Sequence, residues 1–284
     1  ELRTTIVGQS EVDLDGSRDS CRFGECTMGN LIADAMLWAT QNDGTQIAIE
    51  NGGGIRASLP AGDITMGGVL EVLPFGNMLA TFGLKGSDLL LALENGVGRA
   101  ENPDNEGTGR FPQVAGIRFS WDGSKPAGER IVAAEVRGAD GSYSPVDPDA
   151  VYQIVSNDFN RRGGDEYTVF AENAINPYDF GAPLDQALAA YLTEFSPVNP
   201  VIEGRVTRVD AAAPEATPAP TEEPTAEPTA EPTATPTAAP TEEAPTELPT
   251  TGAGAGSWPL LAALLVITAL AATQLLRRRE STHR

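Results

Sequence analysis

The hydrophobic pattern changes period several times before residue 209, and each change predicts an element. Residues 2–9 alternate like a strand that closes at Gly8. From Thr27 the period becomes helical. Leu31, Ile32, Ala35, Met36 and Ala39 share one face, Thr27 is placed to cap, and the helix runs to Thr40. Ile47–Glu50 reads as a short apolar strand that breaks at Asn51-Gly52-Gly53-Gly54. Met66–Leu73 reads as a helix and Met78–Leu84 as a strand. Ser87 caps a second helix, Asp88 to Val97, rich in Leu and Ala. Strands are predicted at Ile117–Trp121, Ile131–Val136 and Val151–Ser156, a helix over Leu184–Phe195, and a last strand over Val201–Val209. Helices and strands mix without a repeating strand–helix period. That predicts an α+β fold with helices packed on a mixed sheet, in a domain spanning residues 1–209.

Beyond that domain the pattern disappears. Residues 210–247 are almost only Ala, Pro, Thr and Glu, with no aromatic and no basic residue. Such a stretch cannot bury enough apolar surface to offset its ordering entropy, so a disordered or polyproline-like stalk is expected. Extended at roughly 3.1 Å per residue it would reach about 120 Å. Leu248-Pro249-Thr250-Thr251-Gly252 follows, then a Gly/Ala spacer, an apolar run from Trp258 to Leu276, and Arg277-Arg278-Arg279. As a helix, residues 258–276 would span roughly 28 Å, close to a bilayer's hydrocarbon core. A plain membrane anchor is one reading. The order of the parts, from 248 to 284, resembles a cell-wall sorting signal of the sortase pathway. That resemblance implies cleavage between Thr251 and Gly252 and joining of Thr251 to the envelope. Either way the folded part is expected outside the cell. The chain opens at Glu1 without Met or signal peptide, so a leader, or more than a leader, is expected upstream.

Charge and composition narrow the chemistry. There are 40 acidic and 19 basic residues in 284, a formal net charge of -21. That argues against a nucleic-acid polymer as partner, since phosphates need a basic face. Part of the charge belongs to the stalk, yet the domain stays acidic without it. The chain has 1 histidine, His283, beside its C-terminus. No Ser-His-Asp or Cys-His nucleophile and no His-rich metal site can be built in the domain.

Several stretches could still hold a ligand. Cys21 and Cys26, close together in an exported protein, suggest a local disulfide that fixes Arg22 at the mouth of the following helix, with a free thiol pair as the alternative. Closing so small a loop contributes roughly 2 kcal/mol. In Asn51-Gly52-Gly53-Gly54-Ile55-Arg56, glycines let backbone N–H groups approach an anion and Arg56 can fork onto phosphate oxygens. The spacing matches neither a P-loop nor a dinucleotide fingerprint, and a tight turn with a surface arginine is the simpler alternative. Leu73-Pro74-Phe75-Gly76-Asn77 sets an aromatic between Pro and Gly. Asn157-Asp158-Phe159-Asn160-Arg161-Arg162-Gly163-Gly164-Asp165 sets a second one ahead of a glycine pair and an acid. Two loop aromatics could sandwich a nucleobase, and Asp165 could accept from a sugar diol. Ordinary core packing is the alternative for each Phe. Gln113-Val114-Ala115-Gly116 reads as structural.

These stretches, in this order and with Glu203-Gly204-Arg205 at the close, resemble the C-terminal domain of the 5'-nucleotidase family, which includes bacterial UDP-sugar hydrolases. The likeness spans Leu2 to Val209. It implies that Phe75 and Phe159 stack a base and that Asp165 holds a ribose. It implies that Arg22, Asn51 and Arg56 contact the phosphate to be cleaved. Family members carry two divalent metal ions in a separate N-terminal metallophosphatase domain. Residues 1–209 have no histidines for it. The expectation is therefore a recognition domain that hydrolyses nothing alone, part of a surface enzyme acting on extracellular nucleotides, with its metals held upstream. Nucleotide sugars or cyclic nucleotides remain open as substrates. A surface-anchored binding or adhesion module without catalysis is the alternative.

Overall fold

Every residue of the strand Ile47–Asn51 is buried, and the fold is arranged to cover both of its faces. The computed structural model describes residues 2–210, all within one unit, Glu1–Ala219. In chain order its first elements are β1 (Ile6–Ser10), α1 (Arg18–Cys21), α2 (Thr27–Ala39), β2 (Ile47–Asn51), β3 (Gly62–Thr65) and α3 (Met66–Val72). Then come β4 (Leu79–Lys85), α4 (Gly86–Val97), β5 (Pro112–Ala115), β6 (Ile117–Trp121), β7 (Ile131–Arg137) and β8 (Tyr143–Pro145). The last are β9 (Val151–Asn157), α5 (Asp158–Arg161), α6 (Thr168–Asn173), β10 (Ile175–Tyr178), α7 (Leu184–Phe195) and β11 (Val206–Arg208).

A mixed five-stranded sheet, ordered β10-β4-β9-β2-β5, forms the centre. β2 runs parallel to β9, while β4 and β5 run antiparallel to their neighbours. Strand periodicity then sorts the core. Ala48 and Val155 face α2, α3 and α7 in one cluster; Ile47, Ile49 and Ile154 face α4 and the sheet β11-β6-β7-β8 in another. This matches the predicted α+β class, and double coverage explains why β2 is continuously buried.

The structure corrects several boundaries. Leu2–Thr4 form a 3-10 turn before β1, so the strand predicted over residues 2–9 starts later. Cys26, not Thr27, is the N-cap of α2, its Sγ accepting from the Gly29 N–H. Thr27 instead accepts the Asp15 N–H on Oγ1 at 2.8 Å. α4 starts at Gly86 directly from β4, with Lys85 as its N-cap, so Ser87 caps nothing. The strand predicted over Val201–Val209 is limited to β11, because Glu203 N–H turns away to Glu25 Oε1 at 2.7 Å.

Among the described residues no helix is long and apolar enough to cross a membrane. The predicted stalk, the Thr251–Gly252 motif and the helix 258–276 lie outside the described residues, apart from Asp210.

Candidate functional site

The sheet's strand directions gather the loops at one end. The parallel strands β2 and β9 finish side by side at Asn51 and Asn157. β4 begins there, with Leu79 opposite Asn157, and the loop bearing Phe75 leads into it. β5 begins there too, with Pro112 opposite Asn51, fed by the turn Thr108–Arg110. Crevices beyond the carboxyl ends of parallel strands are common ligand sites.

That end holds a cleft of about 510 Å³. Arg22, Asn51, Arg56, Phe75, Phe159 and Asp165 all line it, so the six residues singled out from sequence come together. Asn77, Gly107 and Gly109 line it as well and were not anticipated.

The two aromatic rings are not core residues: Phe75 is 60% exposed and Phe159 46%. Phe159 lies in α5, whose N-cap is Asn157, the Oδ1 accepting from Asn160 N–H at 2.7 Å. Its ring rests on Gly164, where an added Cβ would lie 2.6 Å from the ring atoms. Only glycine allows that approach. Arg56 lies over the Phe75 ring at 5.8 Å, a cation–π contact, and donates from Nη1 to Gly53 O at 3.3 Å.

Arg22 sits in the loop closed by the Cys21–Cys26 disulfide. Gln113 of β5 clamps that loop, donating to the carbonyls of Cys21 and Gly24 and accepting the Cys26 N–H. The Gln113 stretch is thus structural, in support of Arg22. Arg22 Nε is buried with no hydrogen-bond partner among the described residues. Burial pulls the guanidinium below its usual range, helped by the charges of Arg56 and Arg18 and opposed by Asp165. An orphaned guanidinium donor is suited to an anion.

Asp165 and Glu166 both have positive φ, 50° and 61°. Left-handed backbone costs a non-glycine residue about 1–2 kcal/mol, so surrounding bonds must impose it. They are present. Asn95 Nδ2 donates to Asp165 O at 3.1 Å, Asn51 Nδ2 to Asp165 Oδ2 at 2.8 Å, and buried Arg110 pairs with Glu166 at 2.8 Å. The result aims one carboxylate into the cleft.

The 5'-nucleotidase C-terminal domain family model matches residues 6–172. The chain belongs to this family. It is 39% identical over 211 residues to the trifunctional nucleotide phosphoesterase protein YfkN of Bacillus subtilis, covering 74% of this chain and 14% of that protein. It is 34% identical over 220 residues to human 5'-nucleotidase, covering 72% of this chain and 37% of that one. A 5'-nucleotidase precursor from Thermus thermophilus superposes with a TM-score of 0.70 at 46% identity, over 74% of this chain and 41% of that one. The chain therefore spans well under half the length of these relatives.

The 5'-nucleotidase family comprises phosphoric monoester hydrolases that hold metal ions in an N-terminal catalytic domain. Among the described residues of this member, no group of three or more His, Cys, Asp or Glu could hold a metal ion. The cleft offers two arginines against one aspartate. That donor set suits an anion and does not fit a two-metal centre, so no bond-breaking step is assigned to these residues.

Sequence reasoning also gave no role to Glu50 or Asn157. Glu50 is wholly buried, and burial pushes its carboxyl up to about 8, with Asn157's hydrogen bond opposing and the Asp165 charge adding. Read as one position in an apolar strand, it carried no visible signal. Asn157 ends a strand and opens a helix, a capping signal that hides its second role behind the cleft.

Proposed function

We propose that this domain recognises the substrate of a cell-surface 5'-nucleotidase, and that the whole protein hydrolyses extracellular nucleotides to nucleosides and phosphate. One observation carries the reading. Arg22 and Arg56 line one cleft with two exposed rings, Phe75 on a loop and Phe159 on α5, and the acid Asp165. The rings would take a base between them, Asp165 the sugar hydroxyls, and the arginines with Asn51 the phosphate. Holding the phosphate in one orientation toward a metal-bearing catalytic domain is a positional contribution to rate. YfkN, a nucleotide phosphoesterase, and the human 5'-nucleotidase both belong to nucleotide chemistry and support this substrate class.

Calorimetry on the chain tests it, with adenosine monophosphate, adenosine and inorganic phosphate as ligands. The monophosphate should bind more tightly than either part. Equal affinity for all three, or no binding of the monophosphate, would sink the proposal.

We further propose attachment to the cell envelope through residues 248–284, on the strength of the motif, apolar run and basic cluster in order. Cell fractionation with and without sortase tests this. Release of the protein into the medium in both strains would refute it.

A further inference from the structure

Glu50 occupies the next-to-last position of β2, on the Ala48 face, and is wholly buried. A buried carboxyl is costly unless it is bonded on both oxygens. Here Oε2 accepts from Asn157 Nδ2 at 2.9 Å, while Oε1 has no partner among the described residues. The site is also tight: a Cβ on Gly54 would lie 2.4 Å from Oε1. For stability alone, an apolar side chain of similar volume would serve this position better.

Its bonds give the residue another use. Asn157 Nδ2 directs its second N–H to Asn51 Oδ1 at 2.8 Å, and its Oδ1 accepts from Asn160 N–H. Reversing the Asn157 amide would set oxygen against oxygen at both Glu50 and Asn51. Asn51, so oriented, turns its own Nδ2 to Asp165 Oδ2 at 2.8 Å. A directed chain thus runs from a buried carboxyl through two amides to the acid in the cleft. The charge of Asp165 acts on Glu50 along this chain, and Asp185 of α7 lines the same small cavity beneath the Phe75 loop.

We propose that Glu50 is a positioning residue that fixes, through Asn157 and Asn51, which oxygen of Asp165 is left free for the ligand, and so sets the preference for a vicinal diol over its deoxy counterpart. This rests on the reading that Asp165 takes the sugar hydroxyls. The test is calorimetry on the chain with adenosine monophosphate and its 2',3'-dideoxy analogue. Glu50→Leu keeps volume and removes the acceptor. It should cost the diol preference about five- to tenfold, the equivalent of one hydrogen bond. Glu50→Gln still offers an oxygen to Asn157 and should retain most of the preference. With Asp165→Ala already present, Glu50→Leu should change the preference no further. Asn157→Ser keeps an N-cap for α5 but cuts the same chain, and should give the Glu50→Leu loss even if that variant fails to fold. A parent chain with no diol preference would overturn both the Asp165 reading and this role. A preference abolished by Asp165→Ala yet untouched by Glu50→Leu or Asn157→Ser would overturn the positioning role alone.

Discussion

Asn51 and Asp165 stand 114 positions apart in the chain, yet Asn51 Nδ2 donates to Asp165 Oδ2 at 2.8 Å. The bond joins the end of β2, beside the arginines, to the left-handed turn beside Phe159. It ties the side of the cleft that holds the arginines to the side that holds Asp165. Asn51→Ala should therefore weaken binding of a nucleoside monophosphate about fivefold or more, by loss of one hydrogen bond to a charged group. Asn51→Asp should weaken it further, since a new carboxylate would lie against Asp165. Calorimetry decides the order of the two. If Asp binds as well as Ala, electrostatic repulsion is not governing the site.

The two rings make a separable contribution. Phe75→Ala and Phe159→Ala should each lower nucleotide affinity by about 1–3 kcal/mol, the range for one base stacked on an aromatic face. Both rings are substantially exposed, so thermal stability should hardly change. Unaltered affinity for the double variant would refute stacking. A large fall in Tm would show instead that the rings support the fold.

How much of this was legible beforehand depends on the range of each signal. Phe75 was legible because Pro74 and Gly76 flank it, a local pattern that marks a turn, whereas Phe159, expected in a loop, lies in the short helix α5 that Asn157 caps. Arg22 was legible because two cysteines flank its loop. Helices α2 and α7 and strands β6, β7 and β9 carry strong periodicity and fell near their predicted places. Short elements such as β3, β8, β10 and α1 have too few residues to show a period. The capping residues at Cys26 and Lys85 were missed for a different reason. A half-cystine sulfur standing in for a hydroxyl, and a strand passing directly into a helix, leave no composition cue. Glu50, Asn157 and Asn77 were invisible as site residues because their roles exist only once β2, β9 and the Phe75 loop lie side by side.

Arg22 depends on the loop that carries it. Replacing both Cys21 and Cys26 with Ser removes the cross-link and should cost roughly 2 kcal/mol of stability, given the small ring. Gln113 still holds the carbonyls of Cys21 and Gly24, so the loop should loosen rather than detach. Affinity for inorganic phosphate and for a nucleoside monophosphate should fall together, while affinity for the nucleoside stays. Urea unfolding and calorimetry read the two effects. Phosphate affinity equal to that of the parent would mean that Gln113 alone positions Arg22.

Glu50 should also leave a mark on stability as pH changes. Its carboxyl is pushed from 4.5 up to about 8 in the folded state, by burial first and by Asp165 in addition. The folded chain therefore binds a proton more tightly than the unfolded chain. Below about pH 4.5 both states hold that proton, and Glu50 costs nothing. As pH rises from there the unfolded state releases it while the folded state retains it, so this residue's share of stability falls until about pH 8 and then levels. Glu50→Gln has no proton to retain and should flatten that decline. Relative to the parent chain, the variant should gain stability across this window, most of all at its alkaline end. Urea unfolding at about pH 5, 6.5 and 8 measures the difference. Parallel curves for parent and variant would mean that Glu50 keeps an ordinary acidity in the fold. The buried oxygen would then have to be solvated in a way its surroundings do not provide.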